Sequence, residues 1–314
     1  MTIFFHILMT NVLPMAVVIS LGIALQRAFK LDIKTLSKLN FYLFSPAIIF
    51  KLLYETEITA SLIGKVLLFI GLFMVLQYAI VEVVIRIRGY KAGMKSAMRN
   101  SVLFYNSANY GIPLNQLAFA GNEKTLAIQV LIMMIQSLVP NTYGIYSVNA
   151  HKANMRQIWR TILSMPIIYV IPVAFTLRGF NITLPQMLAT PLDYMAGAFI
   201  GTALITLGVQ LGNMEWRISR SVAVDVGIAG TLRLVAGPLL AWLIVSILQL
   251  FMNIDSLTAA ALIVSSAVPT SLSSVLLAVE FDNEAEFASQ SVFVSTLLSI
   301  FTVTVVIFCL QLQV

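Results

Sequence analysis

The chain is divided into ten long apolar segments, and this pattern limits the fold more than any other feature of the sequence. A helix needs about 20 mostly apolar residues to cross the hydrocarbon core of a bilayer. Each segment is also far longer than a strand of a transmembrane β-barrel. We therefore predict an all-α membrane protein with ten transmembrane helices, numbered as spans 1 to 10. They lie near residues 4–26, 35–54, 64–85, 94–119, 124–149, 161–178, 191–212, 222–251, 256–279 and 285–312.

The composition supports a membrane protein. Hydrophobic residues make up 59% of the chain and charged residues 10%, whereas about a quarter of the residues of a typical soluble domain are charged. The first apolar segment lacks a basic start and is long enough to span, so we interpret it as a helix and not as a signal peptide. We expect a multi-pass protein of the inner (plasma) membrane, with the lipid bilayer as a partner.

The basic residues predict the orientation. Fourteen of the 19 Lys and Arg residues fall in the loops after spans 1, 3, 5 and 7, including Lys34, Lys91, Lys152 and Arg217. Cytoplasmic loops carry this excess of positive charge, so both termini are predicted to lie outside. The same distribution accounts for the net charge of +6 without a nucleic-acid partner.

The sequence offers no metal, cofactor or catalytic motif. Cys309 is the single cysteine, and His6 and His151 have no second ligand at metal spacing. HExxH and GxSxG motifs and paired acidic residues in mid-span are absent from the sequence. We therefore predict no metal, no cofactor and no enzymatic activity.

The number and spacing of the spans predict two inverted halves. Five spans per half is an odd number, so the second half enters the membrane upside down. Pro113 and Pro269 are 156 residues apart, and Pro14 and Pro172 are 158 apart, close to half the chain length. We predict one five-helix repeat over 1–150 and an inverted one over 161–314.

Spans 4 and 9 are predicted to be broken. They read YNSANYGIPLNQ from residue 105 and SSAVPTSLSS from residue 265, with polar side chains around a proline. Proline interrupts a helix, and a break at mid-depth must face protein or a wet cavity. The ends of half-helices suit an anion, although helix packing is an alternative explanation for such kinks. The predicted substrate-binding residues are Asn106, Asn109, Gly111, Pro113, Asn115, Pro269, Thr270, Ser271 and Ser273.

Arg233 is the most informative charge within a span. If span 8 starts near residue 221, Arg233 lies about 18 Å along it, where a charge should face the protein interior. It then acts as a counter-charge for binding or as a brace on the carbonyls of the broken helices. A later helix start with a side chain that extends to the membrane surface is the alternative.

These motifs resemble the auxin efflux carrier family. The similar strings are NSANYGIPLNQLAFAG at 106–121, AVPTS at 267–271, RLVAGP at 233–238 and LSKLNFYLFSPAIIF at 36–50. The resemblance implies a scaffold of spans 1, 2, 6 and 7, a transport unit of spans 3–5 and 8–10, elevator-like alternating access and a homodimer. It also implies carboxylate substrates, such as auxin in plants and malate or malonate in bacteria.

The resemblance has departures. Lys65 matches a lysine of the plant carriers and is predicted as a supporting charge, but Ser61 replaces the acid that accompanies it, and Ser37 stands in place of an asparagine. These differences argue against auxin itself as the substrate.

Two functions follow. The first is a secondary transporter of a small organic anion that carries a carboxylate. The second is a sodium-coupled organic-anion symporter of the bile-acid-transporter type, for which Asn109, Gln136, Ser271 and Ser273 offer oxygen ligands without acidic help. Whether Gln136, Asn141 and Gln290 line the site or only connect helices stays open.

Overall fold

The computed structural model describes residues 2–148, 155–214, 216 and 218–310, and within these ranges every regular element is a helix. The one piece of β-structure in this part of the chain is an isolated antiparallel bridge between Tyr105 and Thr270. The all-α class predicted from the apolar segments is therefore confirmed.

The helices follow one another with short connections. In chain order they are α1 (Ile3–Phe29), α2 (Ile33–Glu55), α3 (Ala60–Arg88), α4 (Ala92–Leu103), α5 (Gly111–Ala118), α6 (Glu123–Val148), α7 (Met155–Leu163), α8 (Ile167–Gly179), α9 (Gln186–Gly212), α10 (Ala223–Phe251), α11 (Ser256–Ser266), α12 (Ser273–Glu280) and α13 (Ala285–Cys309).

Among the described residues, seven helices are long and apolar enough to cross a membrane, namely α1, α2, α3, α6, α9, α10 and α13. Helices α8 and α11 are apolar but shorter. Predicted spans 4 and 9 are each divided, into α4 and α5 and into α11 and α12. Ten helices in two inverted repeats therefore remain a prediction.

Span 6 was predicted over 161–178 as one helix, and this prediction was wrong at its start. Residues 155–163 form the separate helix α7, and α8 begins only at Ile167. Pro166 stands between them as the residue that precedes α8. Proline has no amide hydrogen to donate and disfavours helical backbone in the residue before it, so the chain breaks there.

Four of the long helices contain one wider, π-helical turn next to a proline. Such a turn relieves the clash and the missing donor that proline brings into a helix. The turn in α10 includes Arg233 and precedes Pro238. The π turns are Leu8–Val12, Asn40–Phe44, Pro140–Gly144 and Leu232–Ala236.

Helices α1 and α9 cross at glycines. A Cβ added to Gly208 would lie 2.1 Å from the carbonyl oxygen of Ile19, and one added to Gly22 would lie 2.4 Å from that of Ile205. Only glycine permits this approach of two backbones, as in many packed membrane helices. Helix α2 packs against both α8 and α9, so α1, α2, α8 and α9 form one packed group.

The outer faces of the long helices are apolar. Large exposed side chains of this kind include Leu21, Val75, Leu239 and Phe301. Soluble proteins seldom expose apolar surface on this scale. Together with the seven spanning helices, this surface indicates a multi-pass membrane protein.

Ion pairs connect helix ends. Arg88 lies 3.1 Å from Asp225, and Glu82 pairs with Arg99, so α3 is joined to α10 and α4. Lys124 lies 2.8 Å from Asp255 and joins α6 to α11. The predicted loop residues His151, Lys152 and Arg217 lie outside the described residues, and the orientation of the chain stays a prediction.

Candidate functional site

The interruptions between α4 and α5 and between α11 and α12 cross each other. The amide of Asn106 donates to the carbonyl oxygen of Pro269 over 2.8 Å, and the amide of Ser271 donates to that of Phe104 over 2.8 Å. These bonds flank the bridge between Tyr105 and Thr270. We call this contact the crossing; it joins two segments that are distant in sequence through their main chains.

Four helix ends meet at the crossing. Helices α4 and α11 end there at Leu103 and Ser266, and helices α5 and α12 begin there at Gly111 and Ser273. The C-terminal end of a helix carries partial negative charge, and the N-terminal end carries partial positive charge. The crossing therefore brings two poles of each sign together in the protein interior.

Arg233 binds the two C-terminal ends. Its Nη1 donates to the carbonyl oxygen of Val102 over 3.1 Å, and its Nη2 donates to that of Ser266. Nη1 also lies 3.4 Å from Oε1 of Gln77. The side chain is fully buried. The structure thus places Arg233 as a brace across both broken helices, while a part in substrate binding stays a prediction.

No carboxylate pairs with Arg233 among the residues that the structure describes. Its guanidinium carbon lies 4.5 Å from the ring centre of Tyr105 and 5.7 Å from that of Phe73. Both rings are at a distance at which a cation is attracted to the π-face. The charge is therefore balanced by the ends of α4 and α11 and by aromatic rings.

The amides at the two N-terminal ends form hydrogen bonds within their own segments. Asn106 accepts a bond from the Asn109 amide on its Oδ1 over 3.1 Å, and its carbonyl accepts from the Gly111 amide over 2.9 Å. The Ser271 hydroxyl accepts from the Ser273 amide over 3.2 Å. We expected unpaired amides at these ends, but these local bonds use them. An anion there must find its donors on side chains.

A cavity of about 570 Å³ adjoins the crossing. It lies between α2 and α9 on one side and α6, α12 and the residues of the breaks on the other. The Asn109 side chain and the Nδ2 group of Asn106 have no hydrogen-bond partner in the described ranges and are free to bind a ligand. The polar lining consists of Ser37, Lys38, Asn40, Ser45, Asn106, Ser107, Asn109, Gln136, Ser137, Asn141, Ser164, Gln210, Ser271, Ser273 and Glu280.

Four of the nine predicted substrate-binding residues line the cavity: Asn106, Asn109, Ser271 and Ser273. The other five do not line the cavity. They are Gly111, Pro113, Asn115, Pro269 and Thr270.

These five have structural contacts instead. Asn115 accepts from the Thr125 hydroxyl over 2.8 Å, and the Thr270 hydroxyl donates to the carbonyl of Ser101 over 2.8 Å. Gly111 leaves room for Gln129, whose Nε2 would lie 2.4 Å from an added Cβ. The carbonyl of Pro269 is bonded to Asn106 as above, and Pro113 is buried in the first turn of α5.

Lys65 is not brought to the crossing. It lies one turn into α3, and its ammonium donates to the carbonyl oxygen of Asn253, in the connection between α10 and α11. The residue predicted as a supporting charge thus binds the connection between two helices and does not reach the crossing.

The structure settles the positions of residues that the sequence left open. Gln136 and Asn141 line the cavity. Gln136 also contacts the first break, with its Oε1 3.4 Å from the amide of Tyr105. Gln290 lines a second cavity of about 510 Å³, between the ends of α2 and α9 and helices α12 and α13.

Sequence reasoning missed nine polar cavity residues: Ser37, Lys38, Asn40, Ser45, Ser107, Ser137, Ser164, Gln210 and Glu280. Ser37, Lys38, Gln210 and Glu280 lie near the ends of predicted spans, where polar residues are expected anyway. Nothing in the sequence pattern distinguishes them, because their shared feature is the cavity itself.

A comparison with known families identifies the class of protein. A family model described as membrane transport protein matches residues 7–307. The chain belongs to this family. Membership confirms the resemblance to auxin efflux carriers that was drawn from the strings at the breaks.

A relative in the membrane transport protein family is an uncharacterized transporter of Methanothermobacter thermautotrophicus (strain Delta H). It is 25% identical to this chain over 275 residues, which cover 86% of each protein. A family of transporters is also consistent with the predicted lack of enzymatic activity.

Proposed function

We propose that this membrane transport protein is a secondary transporter that carries a small organic anion with a carboxylate group across the inner (plasma) membrane. The observation that carries the proposal is the crossing beside a polar cavity. The cavity is lined by residues that precede α5 and α12, and two amide side chains with free donors, Asn106 and Asn109, lie on its wall.

The charges at the crossing favour an anion. The guanidinium of Arg233 offsets the negative ends of α4 and α11. The positive ends of α5 and α12 adjoin the cavity, and the Asn106 and Asn109 amides offer hydrogen bonds to carboxylate oxygens.

We further propose the inverted repeat of ten spans, with halves at 1–150 and 161–314. Helices α3 and α10 both have 29 residues and begin 163 residues apart. Helices α4 and α11 end 163 residues apart, and α5 and α12 begin 162 apart. This constant offset supports a duplication better than the prolines do. Pro113 and Pro269 are 156 apart, because the first lies inside α5 and the second lies in the break.

Elevator-like movement is the mechanism that we propose. The cavity separates α2 and α9, which belong to the packed group of α1, α2, α8 and α9, from the crossing and helices α6 and α12. In this mechanism the group is the scaffold, by which two copies form a homodimer, and the remaining helices carry the crossing. The cavity reaches Lys38 and Glu280, near helix ends on the side of the basic loops. With the predicted orientation, we propose that the structure corresponds to an inward-facing state.

Ligand binding to the purified protein tests the proposal. We expect small carboxylates to raise the temperature of thermal unfolding more than matched amides or amines. Uptake of the best ligand into proteoliposomes then tests transport. If neutral or cationic compounds stabilise the protein as well as carboxylates do, the anion assignment is wrong.

The sodium-coupled symporter is tested by the same vesicles. Uptake driven by an inward sodium gradient, and abolished when potassium replaces sodium, would favour that alternative.

A further inference from the structure

The contacts of Arg233 have the form of a bound cation. Three oxygens surround its guanidinium: the carbonyl oxygens of Val102 and Ser266, and Oε1 of Gln77. They come from α4, α11 and α3, and the arginine comes from α10. All three acceptor oxygens therefore come from helices other than α10, the helix that carries the arginine.

All three oxygens are uncharged, and two of them belong to the last turns of helices. Neutral carbonyl and amide oxygens are ligands that hard metal cations accept. The negative ends of two helices add to the attraction. Without the arginine, this position would be an oxygen-lined space that favours a small monovalent cation.

We propose that Arg233 is a positioning residue that acts as a permanently bound cation of the crossing and takes the place of a free coupling ion there. The guanidinium is attached to α10 and does not lose its proton in proteins. The two C-terminal ends therefore stay together, and the crossing keeps the same charge throughout the transport cycle. The statement about coupling rests on the proposed transport function; the statement about the cation does not.

Arg233 acts without contact with the substrate cavity. It is absent from the cavity lining, whereas Tyr105 is part of it. The ring of Tyr105 lies 4.5 Å from the guanidinium carbon. We therefore place the arginine behind the cavity wall, and its effect on transport passes through the position of the half-helices.

Thermal unfolding of the purified protein without substrate tests the bound cation directly. We expect Arg233→Met, which keeps much of the length but not the charge, to lower the midpoint by about 10 °C. Arg233→Lys should lose less, because it keeps a cation on the same helix. The matched control is Arg88→Ala, which removes an arginine from a partly exposed ion pair with Asp225 and should change the midpoint little.

Chemical rescue separates a bound cation from simple packing. In Arg233→Ala, low millimolar guanidinium chloride should raise the unfolding midpoint, whereas urea and choline chloride should not. The wild-type protein should not respond to guanidinium. If Arg233→Met is as stable as the wild type, or if guanidinium does not stabilise Arg233→Ala, the proposal is wrong. Should Arg233→Ala fail to fold, the order of Arg233→Lys above Arg233→Met decides the question, and the reverse order overturns it.

Cation replacement tests the consequence for coupling. We expect wild-type uptake to be equal in sodium and N-methylglucamine buffers, and uptake by Arg233→Ala to increase several-fold with sodium. Sodium-dependent uptake by the wild type would overturn the coupling statement. A protein that transports no carboxylate would contradict the proposed function, but the unfolding experiments would still decide the role of the arginine.

Discussion

The main-chain amide of Asn106 donates a hydrogen bond to the carbonyl oxygen of Pro269 over 2.8 Å. The two residues are 163 positions apart, and each lies in the gap of a broken helix. Proline frees its own neighbourhood from helical bonding, and the partner gap provides the missing donor. The two interruptions thus satisfy each other's main-chain groups, as burial inside a membrane protein requires.

Asn109 is the residue whose loss should affect binding with least effect on the fold. Its side chain lines the cavity and bonds to no other described residue. In Asn109→Ala we expect carboxylate affinity to fall about 10- to 100-fold, the effect of one hydrogen bond to a charged group, with an unchanged unfolding temperature. The control is Asn253→Ala, an exposed asparagine far along the chain. Ligand-induced stabilisation measures both; equal affinity of Asn109→Ala and wild type would exclude Asn109 from the site.

Asn106 has two tasks that different substitutions separate. Its Oδ1 accepts a hydrogen bond from the Asn109 amide, and its side chain lines the cavity. Asn106→Asp keeps the acceptor but adds a negative charge, so it should fold and fail to take up anions. Asn106→Ser keeps a shorter acceptor without charge and should retain part of the uptake. Asn106→Ala should also lose about 1 kcal/mol of stability with the hydrogen bond to the Asn109 amide. Normal anion uptake by Asn106→Asp, measured in proteoliposomes, would contradict the proposed site.

Gly111 is required by the packing of Gln129. An added Cβ would lie 2.4 Å from Nε2 of Gln129, which donates to the carbonyl of Ser107 over 2.8 Å. In Gly111→Ala the amide must move, and the loss of this buried bond should cost about 1–3 kcal/mol. Gly71→Ala, with nothing within 4 Å of the new Cβ, should be neutral or slightly stabilising. Unfolding midpoints compare the two, and similar values would show that the first break tolerates repacking.

Gly208 decides whether α1 and α9 stay packed. A Cβ there would lie 2.1 Å from the carbonyl oxygen of Ile19, and rigid backbone cannot yield as a side chain can. Gly208→Ala should cost about 3 kcal/mol and lower the yield of folded protein. Gly201→Ala in the same helix has open space around its Cβ and should behave as wild type. Chromatography of the detergent-solubilised variants makes the comparison; a stable Gly208→Ala would argue against the close crossing.

The orientation is open to a labelling experiment. In a Cys309→Ser background, Lys34→Cys should react with a membrane-impermeant reagent only from the cytoplasm. Glu57→Cys should react only from outside, because the two residues are exposed at opposite ends of α2. The reverse pattern would invert the predicted topology and place the cavity mouth on the outer side.

The stability contributed by the Lys124–Asp255 ion pair, at the start of α11, should be insensitive to mild acid. Partial burial alone would raise the pKa of Asp255, but bonds from Lys124 and Thr258 lower it more, so its pKa lies well below the usual range. A depressed pKa contributes stability that is present above the unfolded value near about 4. That stability is lost only as the pH falls through the lower folded value. Asp255 should therefore cause no difference between the unfolding midpoints at pH 7 and pH 5. If the midpoint of the wild type falls strongly at pH 5 and that of Asp255→Asn does not, this prediction is wrong.

The sequence by itself determined the membrane solvent, the all-α class and the two interruptions, because these depend on local composition. An apolar run of about 20 residues has one stable environment, and a polar stretch around a proline weakens a helix, whereas Pro172 and Pro191 lie inside the continuous helices α8 and α9. The break between α7 and α8 at Pro166 also depends on local sequence. The prediction missed it because the apolar run continues across the proline.

The tertiary structure decided which polar residues meet. Lys65 and Arg233 are both basic residues in apolar spans, yet one binds a helix connection and the other joins two broken helices. Ser37, Gln210 and Glu280 come from three helices and share a cavity only after those helices pack. A side chain's partner depends on the rotation and depth of its helix, and a 3.6-residue period does not specify either against a neighbour. The positions of the breaks could therefore be predicted from the sequence, whereas the residues that surround them depend on how the helices pack.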